Sequence, residues 1–162
     1  MYKIDKIDYE IVNMLMEDGR MRAAEIARRL GNKSERAVRY RIDRMIDNNV
    51  IQLSAIVNPK GLGFSVVADV LLEVEADSIL EVARRLVEFE NISYVACSIG
   101  ETDLSIQVLA GDTAEVYRFV TEGIGKIPGV RKTTTSIVPL VFKDVFQWRI
   151  PSSLVNENTN ED

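Results

Sequence analysis

Apolar residues recur in this chain with two different periods, and the change from one to the other divides it. Over residues 6–18, Ile7, Ile11, Met14 and Leu15 follow the 3.6-residue repeat of an amphipathic helix. Its ends carry recognisable punctuation. Asp5 is placed to cap with Asp8 three positions on, Ile4 can staple onto Tyr9, and Gly19 suits the left-handed residue that closes a helix. A second, short helix is predicted over 22–30, with Ile26, Ala27 and Leu30 inward, ending at Gly31. A third, over 34–48, takes Ser34 as its N-cap and carries Val38, Ile42 and Met45 on one stripe.

Residues 50–63 break that repeat. Ile51, Leu53, Ala55 and Val57 alternate as an extended strand, and Asn58, Pro59, Gly61 and Gly63 then signal a loop, so the domain boundary falls here. Beyond it the period is two: Phe64, Val66, Ala68, Val70, Leu72 and Val74 predict a strand with one fully buried face. Ser78 and Glu81 have the spacing of a capping box for a helix running to about residue 90, with Ile79, Val82, Ala83 and Leu86 inward. Strands are predicted over 92–99 and from Leu104 to Ala110, joined by a turn at 100–102. Asp112 and Glu115 open another helix, with Val116, Val120, Ile124 and Ile127 on one side, which Pro128 and Gly129 stop before a last strand from Val130.

The resulting order, β-α-β-β-α-β, is the ferredoxin-like split βαβ arrangement, an α+β fold in which two helices cover one face of a four-stranded antiparallel sheet. Its other face, partly apolar, gains by packing against a second copy, so a symmetric homodimer is the expectation. The organisation is therefore 1–49 helix-turn-helix, 50–63 strand and linker, 64–150 ferredoxin-like dimerisation domain, and 151–162 a polar, acidic tail that reads as disordered.

Charge sharpens this picture. The formal net charge is −5, yet residues 20–44 hold nine basic side chains against Glu25, Glu35 and Asp43, a local +6 that leaves −11 for the rest. Phosphate responds to the local field, so a basic segment in an acidic chain is a candidate nucleic-acid footprint. Apolar runs fall short of the ~20 residues a bilayer helix needs, and residues 1–18 lack a secretory pattern. No membrane association and a cytoplasmic location are expected. Cys97, the sole cysteine, sits in an apolar strand and is expected to be buried and inert. Trp148, in the apolar stretch 140–150, is expected to pack.

A helix-turn-helix needs a small residue where its helices cross, a glycine at the turn and an apolar anchor on the recognition helix; Ala27, Gly31 and Val38 stand in those places. Opposite the Val38 stripe, Arg36, Arg39 and Tyr40, with Asp43 further along, lie at the end of the third helix that a major groove admits, next to the Ser34 N-cap, which is also a candidate DNA contact. Arginine there can bond bidentately to guanine. Arg20, Arg22, Lys33 and Arg44 lie at the edges, where phosphate contacts set orientation.

Six stretches in order resemble the leucine-responsive and asparagine regulator (Lrp/AsnC) family of transcription factors: IDKIDYEIVNML, GRMRAAEIARRLG, SERAVRYRIDRM, VIQLSAIVNPKGLG, SIGETD and IPGVRKTTTSIV. The resemblance implies a winged helix-turn-helix joined to the family's regulatory (RAM) domain, with dimers that assemble further, often into octamers. Three departures stand out: a turn at 31–34 one residue longer than usual, Arg22 where a capping serine is common, and Asn49 in place of a frequent glycine.

The resemblance also implies an amino-acid effector near the turn formed by Gly100, Glu101, Thr102 and Asp103, at a contact between dimers. Backbone donors at Gly100 and Thr102 suit a ligand carboxylate, Asp103 suits its ammonium, and Thr133 and Thr135, sharing a strand face, are expected to complete the pocket. Read without the resemblance, the same residues are a tight turn and two strand-favouring threonines.

Double-stranded DNA, further copies of the chain and a small-molecule effector are the expected partners, with no cofactor and no metal. The rival readings are an effector-binding protein that lacks DNA contact and an enzyme on the ferredoxin-like domain. Enzymatic chemistry has little support, since the chain has no histidine, no zinc-type cysteine cluster and no phosphate-cradling glycine loop.

Overall fold

The computed structural model describes residues 2–31 and 33–156. Contacts divide it into two compact units: residues up to Ile56 together with those from Lys143 onward, and Val57–Phe142.

The first unit is built on α1 (Lys6–Glu17), α2 (Ala23–Arg29) and α3 (Glu35–Asp47). Ile11, Val12, Ile26, Ala27, Val38 and Met45 form its buried core, each larger side chain contributing about 1.5–3 kcal/mol on leaving water. Asp5 caps α1 by accepting from the Asp8 N–H at 2.8 Å, and Ser34 caps α3 by accepting from the Ala37 N–H at 3.1 Å. Arg22 stands at the N-cap of α2 with no side-chain bond. Gly31 takes φ 65° in the turn before α3, and Asn49 takes φ 54° after it; asparagine tolerates that left-handed conformation better than most side chains. Gly19 does not adopt it. Asp18 instead closes α1 in extended backbone, its carbonyl accepting from Met21. The lengthened turn at 31–34 includes Asn32, which lies outside the described residues.

The predicted strand at 51–57 is absent: that stretch carries no ladder, and Leu53, Ile56 and Val57 are exposed. Alternation specifies faces, but a strand also needs a partner's N–H and C=O groups, which this stretch does not find among the described residues. Accordingly no wing hairpin follows α3 among the described residues.

The second unit has β1 (Val66–Val74), α4 (Ile79–Leu86), β2 (Ile92–Cys97), β3 (Leu104–Ala110), α5 (Thr113–Arg118) and β4 (Val130–Val138), with antiparallel order β2-β3-β1-β4. This is the ferredoxin-like topology expected from the element order. Ala68, Val70, Leu72 and Val74 of β1 bury against Val82 and Leu86 of α4 and against Val116, Val120, Ile124 and Ile127. The last three of those lie beyond α5, where the backbone passes through a π turn (Phe119–Gly123) and a 3-10 turn (Ile124–Lys126). Changing the turn type keeps the apolar stripe facing the sheet.

Several boundaries move inward. Helix α4 ends at Leu86, and Ser78 precedes it without a side-chain cap, its hydroxyl donating instead to Asp77. Strand β1 starts at Val66 rather than Phe64, and β2 ends at Cys97, leaving Ile99 fully exposed. Gly129, at φ 95°, supplies the carbonyl that accepts from Glu75 beside the β1–β4 register shift, and a Cβ there would meet that of Ser78 at 2.6 Å.

Cys97 is exposed, not buried. It ends an edge strand, where alternation leaves one side of the strand without a neighbour. Trp148 is 59% exposed and does not pack into either core. The second unit ends before residue 150 because Ile150 packs on the helical core and the segment around it joins the first unit. Of the tail read as disordered, residues 151–156 are structured, with a 3-10 turn at Ser152–Leu154 and a bridge from Asn156 to Asp5. Residues 157–162 lie outside the described residues.

Candidate nucleic-acid interface and effector site

Helix α3 presents two different faces. Val38 and Met45 are buried, while Arg36, Arg39, Tyr40 and Asp43 are exposed on the opposite side and Ser34, the exposed N-cap, lies one turn before Val38. Arg39 donates to Glu35 one turn back at 2.9 Å, an exposed pair that holds the side chain only weakly. Arg28 and Arg29 of α2 both donate to Glu25, whose carboxyl they hold down at about 2. Among the described residues, Arg20, Arg22, Lys33 and Arg36 have no carboxylate partner and are exposed. The basic footprint is therefore narrower than its formal +6.

Arg44, expected at the phosphate edge, is tied inward. Asp8 of α1 is wholly buried, and its carboxylate accepts from Arg41 at 2.7 Å, from Arg44 at 3.3 Å and from the Tyr2 hydroxyl at 2.8 Å. Arg44 also donates to the Tyr2 hydroxyl at 3.0 Å and lies over the Tyr2 ring. Arg41 donates to Asp5 at 2.7 Å as well. A buried carboxylate requires such partners, and here they brace α3 against α1. Burial, with the neighbouring Asp8, pushes the Tyr2 hydroxyl up to about 12.

For Asp5, burial acts to raise the carboxyl, but the Asp8 N–H and the Arg41 guanidinium outweigh it and the group lies below its ordinary 3.8. A carboxylate depressed on folding stabilises above its unfolded value, and that contribution is lost as pH falls through the folded one. Thermal melts across the acid range should therefore show the helical unit weakening below about pH 3.8. Asp5→Asn, which keeps a capping oxygen, should flatten that limb, and an unaltered limb would remove Asp5 from the acid response.

By sequence spacing Asp8 is only the partner of the Asp5 cap and Arg41 only one of the cations of residues 20–44. One signal was available: Asp8 occupies a position three and four before Ile11 and Val12, on the inward stripe, where an unpaired carboxylate would be costly.

The candidate effector residues meet in part. The Ser98 N–H donates to the Asp103 carbonyl at 2.8 Å, closing a turn that holds Gly100, at φ 151°, with Glu101 and Thr102. Asp103 is already engaged: its N–H donates to Leu72 and its carboxylate accepts from the Val74 N–H at 2.7 Å, beside the register shift in β1. Thr133 stands on the rung shared by Leu72 and Leu104, at the turn's end of the sheet, whereas Thr135 is two residues farther in, opposite Val70. An open cleft of about 440 Å³ lies elsewhere, lined by Arg85, Phe89, Lys126 and Ile127 among others, and includes none of the six candidates.

With this geometry in place, comparison with known proteins is direct. Residues 4–46 match the AsnC-type helix-turn-helix domain, and residues 66–146 match the Lrp/AsnC ligand binding domain. The HTH-type transcriptional regulator FL11 of Pyrococcus abyssi is 35% identical over 148 residues, covering 91% of this chain and 97% of that protein. The chain belongs to the Lrp/AsnC family. It is a DNA-binding transcriptional regulator, not an enzyme. An uncharacterised HTH-type regulator of Pyrococcus horikoshii is 35% identical over 142 residues, 87% of this chain and 89% of that one. Among solved Lrp/AsnC-like folds, Escherichia coli AsnC superposes with TM-score 0.81 at 23% identity, over 90% of this chain and 99% of that one. A Neisseria meningitidis transcriptional regulator, solved as an L-Met complex, superposes with TM-score 0.84 at 22% identity, over 94% and 99%. No helix among the described residues is long and apolar enough to cross a membrane.

Proposed function

We propose that this regulator reads double-stranded DNA as a cytoplasmic homodimer, with Arg36, Arg39 and Tyr40 at base edges and Ser34, Arg20, Arg22 and Lys33 on phosphate. The observation that carries this reading is the exposed face of α3, where cations at helical spacing stand opposite the buried Val38 and Met45. The uncovered sheet face supports the dimer. By register it presents Val67, Leu71, Tyr94, Leu109 and Val138 around the Gln107–Asp69 hydrogen bond, an apolar patch with a polar centre suited to a second copy. Assembly beyond the dimer, up to an octamer, and control by an amino acid belong to the same proposal.

For the effector, the turn at Gly100, Glu101, Thr102 and Asp103 is the proposed site, with Thr133 nearer to it than Thr135. The cleft beside Arg85 and Phe89 includes none of these residues, and the proposed pocket is completed by another copy. Ligand would then act by favouring one assembly over another. L-methionine, seen with the Neisseria meningitidis protein, is the first ligand to try, within a thermal-shift series over the amino acids.

Asp103→Asn tests the site better than alanine, because the amide oxygen can still accept from Val74 while the charge is lost. Alanine would also leave that N–H unsatisfied, at about 1–3 kcal/mol. The asparagine variant should abolish the ligand-dependent shift in oligomer size, read by light scattering, and spare DNA affinity without ligand. A retained shift would place the sensor elsewhere.

A further inference from the structure

We infer that residues 149–156 are a positioning strap for the DNA-reading helix, acting through Ile4, Asp5 and Arg41. The strap grips α1 at both ends. Near one end, Arg149 donates to the Asn13 side chain at 3.1 Å and Ile150 packs against the helical core. At the other, the backbone N–H of Asn156 donates to the Ile4 carbonyl at 3.0 Å and its side-chain amide donates to the same oxygen at 3.3 Å. A parallel bridge pairs Asp5 with Asn156. Between these anchors lies the 3-10 turn Ser152–Leu154, closed by the Leu154 and Val155 N–H groups donating to the Pro151 and Ser152 carbonyls.

Asp5 is where this grip passes to α3. One of its oxygens caps the Asp8 N–H, and the other accepts from Arg41 at 2.7 Å. The same Arg41 nitrogen donates to Asp8 at 2.7 Å, and the Arg41 side chain is only 16% exposed. Arg41 follows Arg39 and Tyr40 on α3 and is the buried handle of a helix whose other face is free. Displacing Ile4 and Asp5 would move both carboxylates that hold that handle, and would rotate Arg36 and Arg39 relative to a groove. None of the strap residues is among those proposed to touch DNA. Residues 139–148 join the strap to β4, so the helical unit is tethered in the chain to both termini of the ligand-binding unit.

The experiment uses the full chain with Asn156→Pro, which removes both donors to Ile4. Val155, at φ −85° and ψ 121°, already has the extended backbone that a following proline demands. Affinity is measured on a duplex selected from random sequence by the unmodified chain and on poly(dI-dC), at one salt concentration. Non-specific binding depends on charge, which this variant leaves unchanged. Binding to the selected duplex should fall roughly fivefold to tenfold, about the net worth of one hydrogen bond, with poly(dI-dC) unaffected. Amide exchange at Ile7 and Asp8 should quicken. In an Asp5→Asn background, Asn156→Pro should lose less than half as much, because the route to Arg41 is already cut. Equal losses on both duplexes, no loss, or full additivity with Asp5→Asn would each overturn the strap's positioning role. An unmodified chain that selects no duplex would overturn the assignment of the reading helix, and this inference with it.

Discussion

Asp8→Ala should cost the helical unit about 3 kcal/mol, the order expected when one partner of a buried ion pair is deleted. Asp8 is wholly buried and engages Tyr2, Arg41 and Arg44. Its removal strands the two guanidiniums unequally. The Arg41 side chain, 16% exposed, retains only Asp5; that of Arg44, 38% exposed, can turn to water. Asp8→Asn should recover part of the loss through shape, but its amide hydrogens would face guanidinium donors. Denaturant unfolding followed by helical circular dichroism measures both. A loss under about 1 kcal/mol would mean that the pairing is incidental to stability, as for most exposed pairs. The sign of the alanine result does not make the triad a stabiliser over an apolar core, since replacing all partners together is often neutral. What the geometry shows is a charged link between α1 and α3 through Asp8, Arg41 and Arg44.

Arg36→Ala should weaken binding to the preferred duplex about tenfold to a hundredfold, corresponding to the 1–3 kcal/mol of a bidentate arginine–guanine contact. Arg36 is exposed and has no carboxylate partner among the described residues, so nothing must be broken before it meets DNA. Arg39 must first leave Glu35, at a cost below ~1 kcal/mol for so exposed a pair. Its alanine variant should therefore lose somewhat less. Specificity at one base position should relax with Arg36→Ala, while Lys33→Ala and Arg20→Ala should weaken all duplexes alike and lower the salt slope by about one each. Electrophoretic mobility or fluorescence anisotropy over a salt series separates the two behaviours. Uniform weakening with Arg36→Ala would move that residue to the phosphates.

These two expectations treat neighbouring arginines on one helix in opposite ways, and periodicity alone places them only partly. The spacing of Arg36, Arg39 and Tyr40 against Val38 and Met45 correctly put the first three outside. Arg41 and Arg44 lie on the flanks of that stripe, where a side chain can go either way. What takes them inward is Asp8, three dozen residues earlier in the chain. Asp103, beside the hairpin turn, likewise has a partner distant in sequence: its carboxylate accepts from the Val74 N–H next to the β1–β4 register shift.

Local periodicity and turn chemistry determined the three helices, the ferredoxin-like order, the inward stripes of β1 and β3 and the exposed cationic face of α3, because each is set by residues within a few positions of one another. Only the tertiary structure decided which charges face inward, where Cys97 lies and to which unit the last residues belong. It alone also left residues 51–57 without a ladder and brought Asn156 to Ile4. Pairings such as 8 with 41, 74 with 103 and 4 with 156 depend on how distant segments meet, and no repeat along the chain encodes that separation.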